Sequence, residues 1–579
     1  MSGPSKTPKS TAKESAGGPV EPETNSAAAG PNWKWGIGLL LGSCVLETLI
    51  WWGLDPDQTM QMLFSSVLLG TACAALLIWW LAFSRLPWKA RRRGLLIAVA
   101  LFVLIAGIIR IDSYSGAFAP NFAFRWSPTR QQIAEEYWSK QTMDSSSSAN
   151  EPPRANEHKS PTTGNDRLLE SSDDWAEFRG PRRDGIVRDF SLKSKSGQLP
   201  DWNTHPPKQR WRHPLGAGMG SFAIVGNRAV TLEQRGQDEA VVCYDFDTGH
   251  ELWQHRYAAH YVFEVAGEGP RSTPTISRGR VYTLGATGHL CCLELQHGKQ
   301  LWSHETVSES GASNPIYGTA VSPLIYGNLV IVNPGGPDNQ AVVAYHSETG
   351  EPAWASGKDQ AAYVSPQAAT LDGVPQILVY DGIGPKGLQP QVGTELWRYD
   401  WSNTAKIHCS QPLVIDDWHI LISSGYGRGS VLLKIEQTAA GWRCDDIWKS
   451  RDLKMKFNSG VLHAGHVYGI DEGILACIDV QSGKRRWKGG RYGYGQTLLV
   501  EDLLLIQAES GAVAIVAASP EAFHEITRFP ALSAKTWNIP VICRGRLLVR
   551  NESEAACFDL TNPAPAQDSR SSRVDNRNE

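Results

Sequence analysis

The sequence predicts an all-β, eight-bladed propeller preceded by three transmembrane α-helices. Three observations predict it. A segment of the form polar–x–Gly–x–x–x–Trp recurs along the C-terminal two-thirds of the 579-residue chain, at a period of roughly 40–50 residues. Only strand and turn signals fill the space between copies. Three apolar stretches, each long enough to be weighed as a membrane span, precede the repeats.

The cleanest repeats end at Trp253, Trp302, Trp354 and Trp487, four residues after Gly249, Gly298, Gly350 and Gly483. Degenerate copies end at Trp397 and Trp448, and Phe529 takes the same place once more. A single four-stranded blade cannot bury both of its faces, so neighbouring blades must sandwich one another, with the Trp docked between them. Each repeat also carries a small polar residue where its innermost strand should begin: Ser221, Thr273, Ser322, Ser365, Ser410, Ser459, Thr497 and Asn538. Eight inner strands have only seven downstream aromatics. The eighth is Trp211, ahead of the first blade, so an N-terminal strand should complete the last blade and close the ring over residues 206–562, leaving no open sheet edge.

This Gly-x-x-x-Trp pattern resembles the PQQ-type (pyrroloquinoline quinone) propeller repeat, carried by quinoprotein alcohol dehydrogenases and by BamB-like proteins of outer-membrane assembly. The nearer resemblance is to bacterial membrane-anchored PQQ-like propeller proteins. It rests on the stretch from Trp175 through Phe178-Arg179-Gly180-Pro181 to Gly185, and on Gly269-Pro270-Arg271, Asn333-Pro334-Gly335-Gly336, Gly489-Gly490-Arg491 and Lys535-Thr536-Trp537-Asn538. The resemblance covers the chain from about Lys34 to Leu560 and implies the fold far more specifically than an activity.

The expected spans are residues 35–54, 60–83 and 94–111, within a membrane region of 34–112. The first is interrupted by Glu47, expected to serve helix contact or to lie near the interface, and the third is flanked by Arg91, Arg92, Arg93 and Arg110. Bulky Trp51 and Trp52 leave no cleavage site for a signal peptide. The basic loop Arg85–Arg93 places the N-terminus in the cytoplasm and the propeller on the extracytoplasmic, periplasmic side of the cell membrane. Low-complexity composition predicts disordered tails at 1–33 and 563–579. Residues 113–174 read as a juxtamembrane segment and disordered linker, with a short surface helix over 128–143 whose apolar side is Ile133, Tyr137 and Trp138. Residues 175–205 form a lead-in in which Trp175 and Phe178 pack on the propeller while the arginines meet carboxylates or backbone carbonyls.

A net charge of −3 gives no nucleic-acid signature. Cys243, Cys292, Cys477 and Cys557 occupy one equivalent place in their blades, too far apart to bridge, and neither Cys-x-x-Cys nor a haem-attachment motif occurs. The vicinal pair Cys291-Cys292 is what the dehydrogenase resemblance would set against a quinone, but here it lies inside a strand, where successive side chains diverge. At the channel mouth the candidate ligand-binding residues are Glu268, Arg271, Tyr363, Lys456, Asn458, Arg491, Tyr494, Gln496, Lys535, Trp537 and Asn538, with Glu264 and Gln411 beside them. This set is rich in cations and amides and short of the carboxylates that calcium wants. It suits an anionic or hydroxylated ligand, or simply the satisfaction of strand ends. The reading is a membrane-embedded, non-catalytic scaffold binding an extracytoplasmic protein or small ligand, possessing no catalytic residues, metal or cofactor. Two alternatives stand beside it: a PQQ- and calcium-dependent dehydrogenase, and an enzyme acting on an envelope polymer such as a glycan.

Overall fold

The computed structural model describes residues 33–53, 58–148, 170–403 and 406–561. The tails at 1–32 and 562–579 and most of the expected linker at 144–165 lie outside them. The chain divides into two compact units: a helical one that ends at Ile105, and one that carries everything from Ala106 onward.

The helical unit contains α1 (Trp33–Thr48), extended by a π-helical turn to Gly53, α2 (Gln58–Ile78), extended likewise to Phe83, and most of α3 (Trp88–Ile108). Glu47 is satisfied locally. The Trp51 indole N–H is shared between its carboxylate (3.1 Å) and the hydroxyl of Ser65 on α2 (3.0 Å). Among the described residues two segments are long and apolar enough to cross a membrane, Trp33–Trp52 and Gln61–Phe83. The expected third span differs. Lys89 and Arg91–Arg93 lie inside α3, and the helix gives way to a strand at Ile109. Its apolar helical part, residues 94–108, is therefore only about 22 Å long against a hydrocarbon core of about 30 Å.

The second unit is the eight-bladed propeller with three accessory pieces. The blades are antiparallel four-stranded sheets over residues 223–258, 275–305, 324–356, 367–398, 413–450, 461–491, 496–530 and 541–559, each running outward from the channel in chain order. Blade 8 is completed by the N-terminal strand Lys208–Pro214, with Trp211 opposite Cys557, which is the predicted ring closure. Hydrophobic cores fill the spaces between blades.

The repeat signature has a plain physical reading. The Trp of one blade packs on the turn of the next, against a glycine in every case but Trp487, which meets Phe523, and its indole N–H donates to a carbonyl there: Trp211 to Phe246 (3.1 Å), Trp253 to Leu295 (2.9 Å), Trp302 to Ser347 (3.1 Å), Trp354 to Pro390 (3.0 Å), Trp448 to Val480 (2.9 Å) and Trp487 to Ser519 (2.8 Å). At Gly249 the backbone has φ +74° and a Cβ would lie 2.6 Å from the Trp211 ring. Only glycine fits, and blade 8 is locked onto blade 1 by the device used elsewhere. Trp397 departs from the pattern and donates to Gln376 of its own blade (2.6 Å). Phe529 stands in for the missing Trp of blade 7, packed edge-on against Trp202 and Phe558.

In blades 1–6 the small polar residues at the inner-strand starts form a blade-to-blade belt along the channel. The backbone N–H of Ser221 donates to Thr273 Oγ1 (3.0 Å), Thr273 to Ser322 Oγ (2.9 Å), Ser322 to Ser365 Oγ (2.9 Å), Ser365 to Gln411 Oε1 (2.9 Å) and Gln411 to Ser459 Oγ (3.0 Å). In blade 5 the belt residue is Gln411, not the expected Ser410, whose hydroxyl meets Met455 sulfur.

Candidate functional site: a central channel closed at both ends

The inner strands surround a cavity of about 180 Å³. Its wall is aromatic and aliphatic, with Tyr317, Tyr363, Ile407, Cys409, Phe457, Trp537 and Ile539 facing hydroxyls of the polar belt, Gln496 and Arg271. Two of the accessory pieces complete it. Phe178 enters from the lead-in, and Phe118 with Ser115 and Gly116 from a hairpin that immediately follows α3.

The lead-in crosses the inner strands. Trp175 pairs with Ile224 of blade 1, the N–H of Ile276 in blade 2 donates to Ala176 O (2.8 Å), and strand Ile186–Val187 joins blade 7 in parallel. Between these contacts the chain curls through two arginines in the left-handed region, Arg179 (φ 60°) and Arg183 (φ 55°), a conformation that costs on the order of 1 kcal/mol or more for a non-glycine residue. Hydrogen bonds offset that cost. Buried Arg183 donates to Glu177 (2.6 Å), Ser322 O (3.2 Å), Pro366 O (2.8 Å), Pro323 O and Thr275 Oγ1 (3.3 Å). Arg179 donates to Gly460 O (2.8 Å) and Asp184 O (3.0 Å), and burial pulls its pKa down to about 10.

The hairpin, β1 (Ile109–Tyr114) and β2 (Pro120–Phe124), meets the loops that precede the inner strands. Its tip is held by Glu509. One carboxylate oxygen accepts from Gly116 N–H (2.6 Å) and the Trp537 indole (2.9 Å), the other from Tyr494 N–H (3.0 Å). A Cβ at Gly116 would lie 2.2 Å from the Tyr494 ring, so the tip approaches as closely as a bare backbone allows. Phe118 reaches Lys456, whose Nζ lies 5.7, 5.0, 5.1 and 4.9 Å from the rings of Phe118, Tyr426, Phe457 and Tyr494, a set of cation–π contacts. Arg130, at the start of α4 (Arg130–Ser148), bridges Asp112 (2.7 Å) and Glu552. The apolar side expected for this helix turns to the propeller instead of a membrane surface: Tyr137 stacks on His213 and Trp138 on Arg235, while Ile133 stays exposed.

The predicted mouth residues divide into four groups. Arg271, Tyr363, Gln496 and Trp537 line the cavity, but Arg271 already donates to Tyr317 O and Gly267 O (3.0 Å), and Gln496 to Phe457 O (3.1 Å) and Trp537 O (2.9 Å). Asn458 and Asn538 are tied to backbone: Asn458 exchanges bonds with Ile470, and Asn538 donates to Gly218 O (3.1 Å) and Gly220 O (2.7 Å). Lys535 pairs with Glu552 (2.6 Å), and Tyr494 packs under the hairpin tip. Glu268, Glu264 and Arg491 lie elsewhere. Glu264 and Glu268 line a groove beside α4, where Glu268 contacts His260 (2.7 Å), and Arg491 is exposed on a separate groove near Lys535. Sequence reasoning missed Glu509, Cys409 and the hairpin itself, although Ser115-Gly116 is a turn signal.

Among the described residues no Asp or Glu lines the cavity, and no group of three His, Cys, Asp or Glu side chains is placed to hold a metal ion. Cys291 and Cys292 are both free thiols with their side chains in different cores, blade 1–2 and blade 2–3, and neither borders the cavity. Burial pushes them up to about 12 and about 11, so they behave as small hydrophobes.

No curated protein matches the sequence. Among solved structures the chain is similar to BamB from Moraxella catarrhalis (16% identity, 61% of this chain and 97% of that one, TM-score 0.43). It is also similar to the quinohemoprotein alcohol dehydrogenase of Comamonas testosteroni (12%, 68% and 81%, TM-score 0.45) and to another such enzyme from Pseudomonas putida (13%, 69% and 82%, TM-score 0.46). A family profile matches residues 184–313 and 237–489, together more than half of the sequence. The chain belongs to that family of PQQ-repeat propellers, described as outer membrane protein assembly factor BamB.

Proposed function

We propose that the protein is a membrane-tethered, extracytoplasmic scaffold that binds other proteins or small ligands without catalysing a reaction, in keeping with the assembly role in the family's name. The observation that carries this reading is the chemistry of the channel. Among the described residues its lining has no carboxylate to ligate calcium or serve as a base, its arginine and its one amide already donate to backbone carbonyls, and segments of the chain itself enter it at both ends. In this reading α1 and α2 cross the membrane and α3 makes a third, short crossing with its arginines drawn to the cytoplasmic interface. The basic first turns of α3 then lie inside and the propeller outside. Purified protein given PQQ, calcium and a panel of alcohols should reduce no acceptor dye above a protein-free control. Alcohol-dependent turnover abolished by a chelator would replace the scaffold with a dehydrogenase.

A further inference from the structure

The hairpin that closes the channel has a face that nothing in the propeller covers. Its register sets Ile109 opposite Phe124 and Ile111 opposite Phe122, and directly opposed residues of an antiparallel pair project to the same side. These four therefore share one face. Trp126 extends it, stacked on Phe124 with ring centroids 4.9 Å apart. Ile111 is 51% exposed, Phe122 65%, Phe124 52% and Trp126 69%. Leaving apolar side chains of this size in water is unfavourable, so a cluster of them on a short hairpin calls for an apolar neighbour.

The chain itself points to which neighbour. β1 begins at Ile109, the residue after α3 ends, so in the chain this face follows the apolar run of α3 with no linker. Its composition is that of a bilayer interface: Trp and Phe beside Arg110 and Arg125, whose guanidinium groups reach Pro128 O (3.4 Å) and Ala106 O (2.7 Å). We infer that the Ile109–Ile111–Phe122–Phe124–Trp126 face is an interfacial anchor lying at the boundary between phospholipid headgroups and acyl chains. Because Glu509 and Arg130 fasten the same hairpin to the channel mouth, the anchor turns that mouth toward the membrane surface.

The inference rests on the membrane-tethered reading, and the test separates the two. Full-length protein in phosphatidylcholine vesicles would carry photoreactive p-benzoylphenylalanine at one position at a time: Phe122, Trp126, Leu69 on α2, or Val392 on the exposed propeller rim. Phospholipid adducts are expected at Phe122 and Trp126 in yields close to Leu69 and several-fold above Val392. Adducts at Leu69 with Phe122 and Trp126 no better than Val392 would overturn the anchor and leave the tether standing. Absence of adducts at Leu69 as well would overturn both. Protein adducts at Phe122 and Trp126 in place of lipid would assign the face to a protein partner and refute the bilayer.

Discussion

The two ends of the channel are closed by different physics. The lead-in is built into the ring: it adds a strand to blade 7, bridges blades 1 and 2 through its backbone, and lays two buried guanidinium groups on carbonyls of blades 3, 4 and 6. Among the described residues the strands of the hairpin pair only with each other, and its hold on the propeller comes from side chains: the Glu509 carboxylate, the Arg130 bridge, Phe118 at Lys456 and the Gly116 tip on the Tyr494 ring. Backbone pairing and buried charge make the first closure a structural element. The second rests on a few side-chain contacts at the edge of solvent, where local opening is cheapest. The comparison teaches that closure of a channel does not by itself mean permanence.

Removing Arg183 should test the lead-in most severely. Arg183→Ala leaves Glu177 without its guanidinium partner and strands carbonyls of blades 3 and 4, and it keeps a left-handed backbone with nothing to hold it. Loss of one member of a buried charged pair costs about 3–5 kcal/mol. Thermal or denaturant unfolding should show a loss of that size, and Arg183→Lys should recover little because one ammonium cannot reach acceptors spread over two blades. Wild-type melting of Arg183→Ala would reduce the lead-in to a surface strap.

The wall between the two ends carries its own signature in acid. His408 is buried against Tyr380, and desolvation lowers its pKa to about 4, with Asp381 opposing the shift and Arg428 adding to it. The unfolded chain takes up that proton near 6.5, so between about pH 6.5 and 4 the unfolded state binds more protons than the folded one. The stabilisation is complete above 6.5 and is lost on acidification, to a total on the order of 3 kcal/mol. His408→Leu should flatten the melting temperature between pH 6.5 and 5, leaving the part due to His213, which burial shifts in the same direction. An unchanged slope would remove His408 from the account.

The ring was legible in the sequence because each of its parts is local and repeated. Gly249 and Trp253 lie four residues apart, and the rule that the Trp of one blade needs the glycine of the next is written five times over. The polar belt was legible for the same reason, to within a residue at Ser410 and Gln411. The closures were not. Arg179 and Arg183 act on carbonyls some 140–280 residues away, and a backbone acceptor leaves no mark in a sequence. Glu509 meets Gly116 across 393 residues, and one carboxylate in a loop looks like any other. The mouth cations misled for a related reason: Lys535 and Arg271 read as free charges, whereas Glu552 and the carbonyls of Tyr317 and Gly267 already hold them.

The smallest effect on stability should come from the residue that matters most to the hairpin. Glu509→Ala removes the acceptor of three donors, Gly116 N–H, Tyr494 N–H and the Trp537 indole. Two of these belong to the propeller and stay beside a partly exposed carboxylate site that water can enter, so the cost to global unfolding should be about 1–2 kcal/mol. The tip depends on it more. With its backbone anchor gone, the turn keeps Phe118 against Lys456, the packing of Gly116 on Tyr494 and the bridge from Arg130, and its amides should exchange hydrogen much faster in Glu509→Ala than in the wild type, while those of Ile186 and Val187 in the lead-in do not change. That split separates a latch from a strut: equal acceleration at both ends would mean the channel opens and closes as one body, and no acceleration at the hairpin would place its hold in the aromatic contact with Lys456 instead of in the carboxylate.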